Sequence, residues 1–130
     1  MKTTIISIIA VIILIGGTII LSRNNINSDA FTQDFNNVNI VDGKQIIEIH
    51  ARGGYFPRIT TAKADIPTVI KIETNGTFDC SSALVIPSID YRNNLSPSGE
   101  TLINISPQKA GTKLQGLCAM GMYNFSIEFN

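Results

Sequence analysis

Seven short segments with the alternation of β-strands dominate the sequence after residue 42, and they limit the fold more than any other feature. Apolar and polar residues alternate with a period of two in residues 68–74 and again in residues 101–105, as in strands with one buried face. Asn75-Gly76, Pro87 and Gly111 mark turns between segments. The pattern predicts an all-β fold, either an antiparallel sandwich or a Greek-key barrel. Its strands are expected at residues 44–51, 58–62, 68–74, 82–86, 101–105, 113–117 and 123–129.

Residues 5–21 form an uncharged apolar run. At 1.5 Å per residue, a helix of this length is near the lower limit for spanning about 30 Å of hydrocarbon. A cleaved signal peptide has a shorter apolar run followed by a small-x-small site, and residues 18–23 offer no such site. No cysteine follows the run, which excludes a lipoprotein anchor. We therefore expect one N-terminal transmembrane helix at residues 1–22 that is not cleaved.

The rest of the chain divides into a tether and a domain. Residues 23–41 are rich in Asn, Ser, Asp and Gln, a composition that predicts a polar, mostly extended linker. Residues 42–130 are then the folded domain, close to the smallest size at which a single core is comfortably stable. Lys2 and Arg23 flank the apolar run with nearly equal charge. We nevertheless expect a membrane-anchored protein whose domain faces the extracytoplasmic side.

The polar residues exclude several classes of function. The ten basic and ten acidic residues are interspersed along the chain. No basic stripe therefore indicates a nucleic acid partner. His50 is the single histidine and lies in the middle of a predicted strand. Gly53-Gly54 is not followed by a helix, which excludes a phosphate-binding loop. We expect that the protein is not an enzyme, and we interpret His50 as a half-exposed strand residue.

Sulfur is concentrated around two loops. Cys80 and Cys118 lie in loops, and outside the cytoplasm such a pair most often forms a disulfide. Met120 and Met122, the two methionines besides the initiator, share the loop of Cys118. Thiolate and thioether ligands select Cu(I) and other soft metals. The residues alone leave the disulfide and the soft-metal site both open. Asp79 is interpreted as a turn residue before Cys80, with an oxygen ligand as the alternative.

Five pieces of the sequence, in this order and spacing, resemble the cupredoxin-like domain family. They are residues 53–57 (GGYFP), 63–67 (KADIP), a cysteine ahead of a strand that ends in Ile86-Pro87, residues 107–111 (PQKAG) and residues 118–123 (CAMGMY). The resemblance covers about residues 44–129. The most similar branch is found at the N-terminus of EfeO-type iron-uptake lipoproteins and fused to copper-transporting P-type ATPases. The resemblance implies a Greek-key β-sandwich with a metal site at one end.

The resemblance also implies a ligand set, with one departure. Blue-copper relatives use a His, then a Cys, a second His and a Met. Carried over, Cys80 takes the place of the first His, Cys118 is the hairpin Cys, and Met122 or Met120 supplies the thioether. Neither loop contains a histidine, so the trigonal His₂Cys site of electron-transfer copper proteins cannot form. The set implies copper, as Cu(I).

A second departure is Asn124-Phe125, where the branch usually has a glycine after the Met-Tyr pair. Phe125 therefore either narrows the mouth of the site or turns into the core.

Three functions remain as hypotheses. The first is copper handling or trafficking at the outer face of the membrane, with a metal transporter or metallochaperone as partner. The second is an EfeO-type iron-uptake accessory, with iron as the metal. The third is a disulfide-closed structural or interaction module without metal. Electron transfer ranks below these because both loops lack histidine.

Overall fold

The computed structural model describes residues 36–130. The predicted transmembrane anchor at residues 1–22 and the first part of the predicted linker at residues 23–41 lie outside this range. Within residues 36–130, no helix has the length and apolar character needed to cross a membrane.

In the described range, ten strands form two five-stranded sheets. In the first sheet the order is β1-β2-β5-β8, and β3 pairs with β2; these strands are β1 (Val38–Val41), β2 (Lys44–Ala51), β3 (Tyr55–Phe56), β5 (Thr68–Thr74) and β8 (Gly99–Ile105). In the second sheet the order is β4-β10-β9-β6-β7, formed by β4 (Ile59–Ala62), β6 (Ala83–Ile86), β7 (Tyr91–Asn94), β9 (Lys113–Cys118) and β10 (Asn124–Phe129). Two short 3-10 helices, Cys80–Ser82 and Pro87–Ile89, flank β6.

The core lies between the two sheets and is built from every second residue of the central strands. Ile47 and Ile49 of β2 face Phe125 and Ile127 of β10 across one cluster, and none of the four has exposed surface. Burying a side chain of this size contributes about 1.5–3 kcal/mol. The period-two segments therefore fold as predicted, and the all-β sandwich is confirmed.

The sheets are mixed rather than purely antiparallel. The pairs β2–β5 and β4–β10 are parallel, which differs from the predicted antiparallel arrangement. The chain leaves β2, passes through β4 in the second sheet and returns to β5, so β2 and β5 become neighbours through a crossover. Parallel neighbours require such a crossover, and alternation within a strand does not reveal it.

Strand β1 lies inside the range predicted as linker, so the described domain begins before residue 42. Its turn residues Asp42 and Gly43 have φ values of 52° and 73°, as a two-residue hairpin turn requires. Most of β1 is exposed, and this is why its residues lack the alternation that marks the other strands. The polar β7 was likewise predicted as loop, and its residues are mostly exposed at the edge of the second sheet.

Candidate functional site

Cys80 and Cys118 form a disulfide, with their Cα atoms 5.7 Å apart. Cys80 begins the first 3-10 helix, and Cys118 is the last residue of β9. The fold thus brings together two residues that are 38 positions apart in the chain. Their environments differ: Cys118 has no exposed surface, whereas Cys80 is partly exposed. Of the two arrangements that the sequence left open, this structure contains the disulfide.

Asp79 holds the turn that carries Cys80. Its Oδ1 accepts hydrogen bonds from the backbone N–H of Ser81 at 2.8 Å and from the Ser81 hydroxyl. Its Oδ2 accepts from the backbone N–H of Gly53 at 2.8 Å. These bonds, with the Ser81 hydroxyl contributing most, hold the pKa of Asp79 below its ordinary value. Asp79 is therefore the cap of the turn, as the turn-residue interpretation expects, and it ties that turn to the glycine loop after β2.

Tyr55 anchors the same turn to the core, a role that the sequence pattern did not reveal. Its hydroxyl donates a hydrogen bond to the backbone oxygen of Ser81 at 3.0 Å. Its ring meets the ring of Phe125 edge to face, with centroids 5.2 Å apart. Burial, and after it the negative charge of Asp79, raises the pKa of Tyr55 far above its ordinary value. The phenol therefore stays protonated and keeps donating. The piece GGYFP was the one signal that pointed to this position.

The loop after Cys118 is closed by hydrogen bonds to that residue. The backbone N–H of Cys118 donates to the oxygen of Tyr123 at 3.0 Å, and the N–H of Gly121 donates to the oxygen of Cys118 at 2.8 Å. The N–H of Tyr123 also points to Sγ of Cys118, at 3.4 Å. Met120 and Met122 project from this loop with 79% and 64% of their surface exposed. Two of the four predicted ligands, Cys80 and Cys118, thus form the disulfide. The other two, Met120 and Met122, lie in the loop that follows Cys118.

Phe125 packs into the core rather than over the mouth of the site. It has no exposed surface, and its ring lies against Gly116 on the neighbouring strand β9. A Cβ atom at position 116 would lie 2.2 Å from that ring. Of the two expectations for Phe125, the structure confirms the second.

His50 belongs to an ion-pair network on the outer face of the first sheet. Its Nδ1 lies 3.2 Å from Glu73 and its Nε2 lies 3.5 Å from Glu48. Lys71 pairs with the remaining oxygens of both carboxylates, at 2.8 Å and 3.0 Å. The hydrogen bond from Lys71 is the main reason why the pKa of Glu73 is lowered. The imidazole is 46% exposed, which confirms a half-exposed strand residue. Since Lys71 pairs with both carboxylates and also with Glu100, we interpret the group as a surface ion-pair network of modest energetic weight.

Replacing Asp79 by Asn is expected to lower the free energy of unfolding at pH 7 by about 1–2 kcal/mol, because a partly exposed charged acceptor of three hydrogen bonds is lost. The extra stability that Asp79 gives the wild type depends on pH in a defined direction. Since the folded-state pKa is lowered, the stabilisation is present above the unfolded pKa of about 3.9 and is lost as the pH falls through the folded value.

Urea unfolding at pH 7 and pH 3 measures both effects. The difference in free energy of unfolding between wild type and Asp79→Asn should be smaller at pH 3 than at pH 7. Asp90→Asn is the matched control, because it makes the same exchange at the end of the second 3-10 helix, in a left-handed conformation that Asn tolerates. A gap that is unchanged between the two pH values would contradict the assignment.

The solved structures that are similar to the described residues include two copper-binding ones. One is the metal-binding domain of the Cu(I)-exporting P-type ATPase CopA of Streptococcus pneumoniae D39, crystallised with Cu(I), with a TM-score of 0.64, 22% identity, and coverage of 72% of this chain and 92% of that one. The other is a copper-binding protein in its apo form, solved by NMR, with a TM-score of 0.65, 24% identity, and coverage of 72% and 94%. The described residues share the fold of these two structures, in agreement with the cupredoxin-like fold that the sequence resemblance implied.

At these identities the likeness concerns the fold alone. No family model and no curated protein sequence matches the chain. The EfeO-type branch therefore stays a prediction.

Proposed function

We propose that this protein binds copper as Cu(I) when its disulfide is reduced, with Cys80 and Cys118 as thiolate ligands and Met122 and Met120 as thioether ligands. The proposal rests on one observation. The fold brings the two cysteine sulfurs into contact, and the loop that follows Cys118 holds both internal methionines. The two copper-binding structures with this fold support it.

The donor set fits Cu(I) in its chemistry. Thiolates and thioethers are soft ligands that favour Cu(I) over Mg, Ca or Mn. Neither loop supplies an imidazole, so a Cu(II)-stabilising His₂Cys set is not available. A disulfide carries no thiolate charge, and metal binding therefore requires reduction of the Cys80–Cys118 bond. Iron, the alternative metal, has no support in the similar structures.

The exposed methionines suit a protein that passes its metal on. Met120 and Met122 are exposed, and a flexible thioether at the surface is easily exchanged for a ligand of a partner. We propose copper handling or trafficking, with a metal transporter or metallochaperone as partner and with residues 1–22 holding the domain at the outer face of a membrane. The likeness to the metal-binding domain of a copper-exporting ATPase supports a transporter as partner. No catalytic step is proposed.

An anaerobic Cu(I) titration of the reduced full-length chain, in competition with a chromogenic Cu(I) chelator, tests the proposal. Tight binding with loss of both free thiols and without an intense blue colour is expected. Cys80→Ser or Cys118→Ser should lower the affinity by at least about a hundredfold, more than the loss of an outer-shell partner typically costs. Met120→Leu combined with Met122→Leu should lower it by about tenfold.

Two controls make this titration decisive. The oxidised wild type should not compete with the chelator for Cu(I), because its sulfurs are joined. His50→Gln removes the single imidazole of the chain and should leave the Cu(I) affinity unchanged. Equal affinity in wild type and Cys118→Ser, or no binding when both thiols are free, would show that the proposal is wrong.

A disulfide-closed structural module is the second candidate, and the disulfide itself favours it. A thiol count on protein isolated without reductant, followed by the same titration after reduction, separates the two functions. No free thiols before reduction and no Cu(I) binding afterwards would leave the structural role.

A further inference from the structure

We infer that the Cys80–Cys118 disulfide is opened from one side: a thiol reductant attacks Cys80, and Cys118 is the sulfur that leaves. The reductant is a dithiol protein of the same compartment, and its action switches the site from the closed, metal-free state to the metal-binding state. The consequence for metal rests on the proposed function, whereas the direction of attack rests on the surroundings of the two sulfurs.

Access distinguishes the two sulfurs. Thiol–disulfide exchange depends on which sulfur the thiolate can reach. Cys118 has no exposed surface and is covered by its own strand pairing with Leu84 and by the loop that returns at Tyr123. Cys80 begins a short turn and is partly exposed. An external thiolate therefore reaches Cys80 more readily than Cys118.

One backbone donor is also placed to stabilise Cys118 as the leaving thiolate, which offsets part of the cost of forming a buried charge there. The backbone N–H of Tyr123 lies 3.4 Å from Sγ of Cys118. A hydrogen bond to a sulfur is stronger when the sulfur is a thiolate than when it is part of a neutral disulfide. This donor is in place before the bond breaks, because the loop is held by two further backbone hydrogen bonds of Cys118.

Thiol–disulfide exchange between the dithiol reductant and the Cys80–Cys118 bond takes two steps. A thiolate of the reductant bonds to Sγ of Cys80, the bond between the two cysteine sulfurs breaks, and its electron pair leaves on Cys118. The second thiolate of the reductant then attacks the reductant's own sulfur in the mixed disulfide, which releases Cys80 as a thiolate. The protein disulfide is reduced to two thiols, and the two thiols of the reductant are oxidised to a disulfide. A dithiol protein favours the second step because its second thiol acts at high effective concentration.

Trapping the mixed disulfide with reduced glutathione as the probe tests the inference. The oxidised full-length chain is mixed with glutathione, quenched with acid at short times, and its free thiols are alkylated. Trypsin cleaves after Lys71, Arg92 and Lys113, so Cys80 and Cys118 lie in separate peptides for mass spectrometry. Glutathione on Cys80 with the alkyl group on Cys118 should exceed the opposite pattern by at least about tenfold, as the difference in access implies. Equal amounts, or more glutathione on Cys118, would overturn the inference.

Single-cysteine variants provide an independent measurement. The thiol of Cys80 in Cys118→Ser should react with a chromogenic disulfide reagent at least about tenfold faster than the thiol of Cys118 in Cys80→Ser. In concentrated guanidinium chloride the two rates should become equal, which shows that the fold causes the difference. Equal rates in the folded variants would contradict the inference. Neither experiment contains copper, so a failure of Cu(I) binding leaves the direction of attack intact, and the reverse also holds.

Discussion

Reduction of the Cys80–Cys118 disulfide is expected to lower the free energy of unfolding of the metal-free protein by about 4 kcal/mol. The bond spans 38 positions of the chain, and this segment includes β6, β7, β8 and all of β9. Closing such a loop removes conformational entropy from the unfolded chain, and a chain-entropy estimate gives this magnitude. A domain of this size has a total stability of about 5–15 kcal/mol, so the disulfide accounts for a large share of it.

Urea unfolding with and without a phosphine reductant measures this loss. The double variant Cys80→Ala and Cys118→Ala is the control, because the reductant should have no effect on its stability. If the proposed site is correct, Cu(I) restores stability to the reduced wild type, since a ligand that binds only the folded state stabilises it. Equal unfolding midpoints for oxidised and reduced wild type would contradict the prediction.

Gly116→Ala is expected to destabilise the protein by about 3 kcal/mol or more, the upper part of the range for overpacked cores. The added methyl group would lie 2.2 Å from two ring atoms of Phe125. That ring has no exposed surface and also contacts the ring of Tyr55, so it cannot move aside without disturbing the core. Thermal or urea unfolding of the variant measures the effect.

A double-mutant cycle tests the mechanism of this loss. Phe125→Leu removes the ring atoms that the new methyl group would meet, at its own cost in core packing. In that background Gly116→Ala should cost far less than in the wild type, which gives a coupling energy of about 1–3 kcal/mol. Strictly additive effects of the two substitutions would mean that the contact with the ring is not the cause.

The strands with a buried face were predictable, whereas the mostly exposed β1 and the two-residue β3 were not. Strands such as β2 and β5 pack one face against the core and leave the other more open, so their residues alternate. Strand β1 has mostly exposed side chains, and β3 has two residues. Neither strand therefore shows the alternation of apolar and polar residues. Asp42-Gly43 was nevertheless a usable signal for the hairpin turn.

The sequence identified the sulfur-containing residues of the proposed site, but it left open whether the two cysteines form a disulfide. Only two cysteines and two internal methionines offer sulfur, so the donor set follows from composition. The roles of Tyr55 and Ser81 in holding the Cys80 turn were not predictable, because they depend on a hydrogen bond between residues 26 positions apart.

The sequence by itself determined the all-β class, the positions of the long strands and the sulfur character of the candidate site, because periodicity and side-chain chemistry are local properties of the chain. The tertiary structure decided that β2 and β5 run in parallel, that Cys80 meets Cys118 in a disulfide and that Phe125 turns into the core. These features depend on which distant segments pack together. A period of two shows which face of a strand is buried, but it carries no information about the strand that lies beside it.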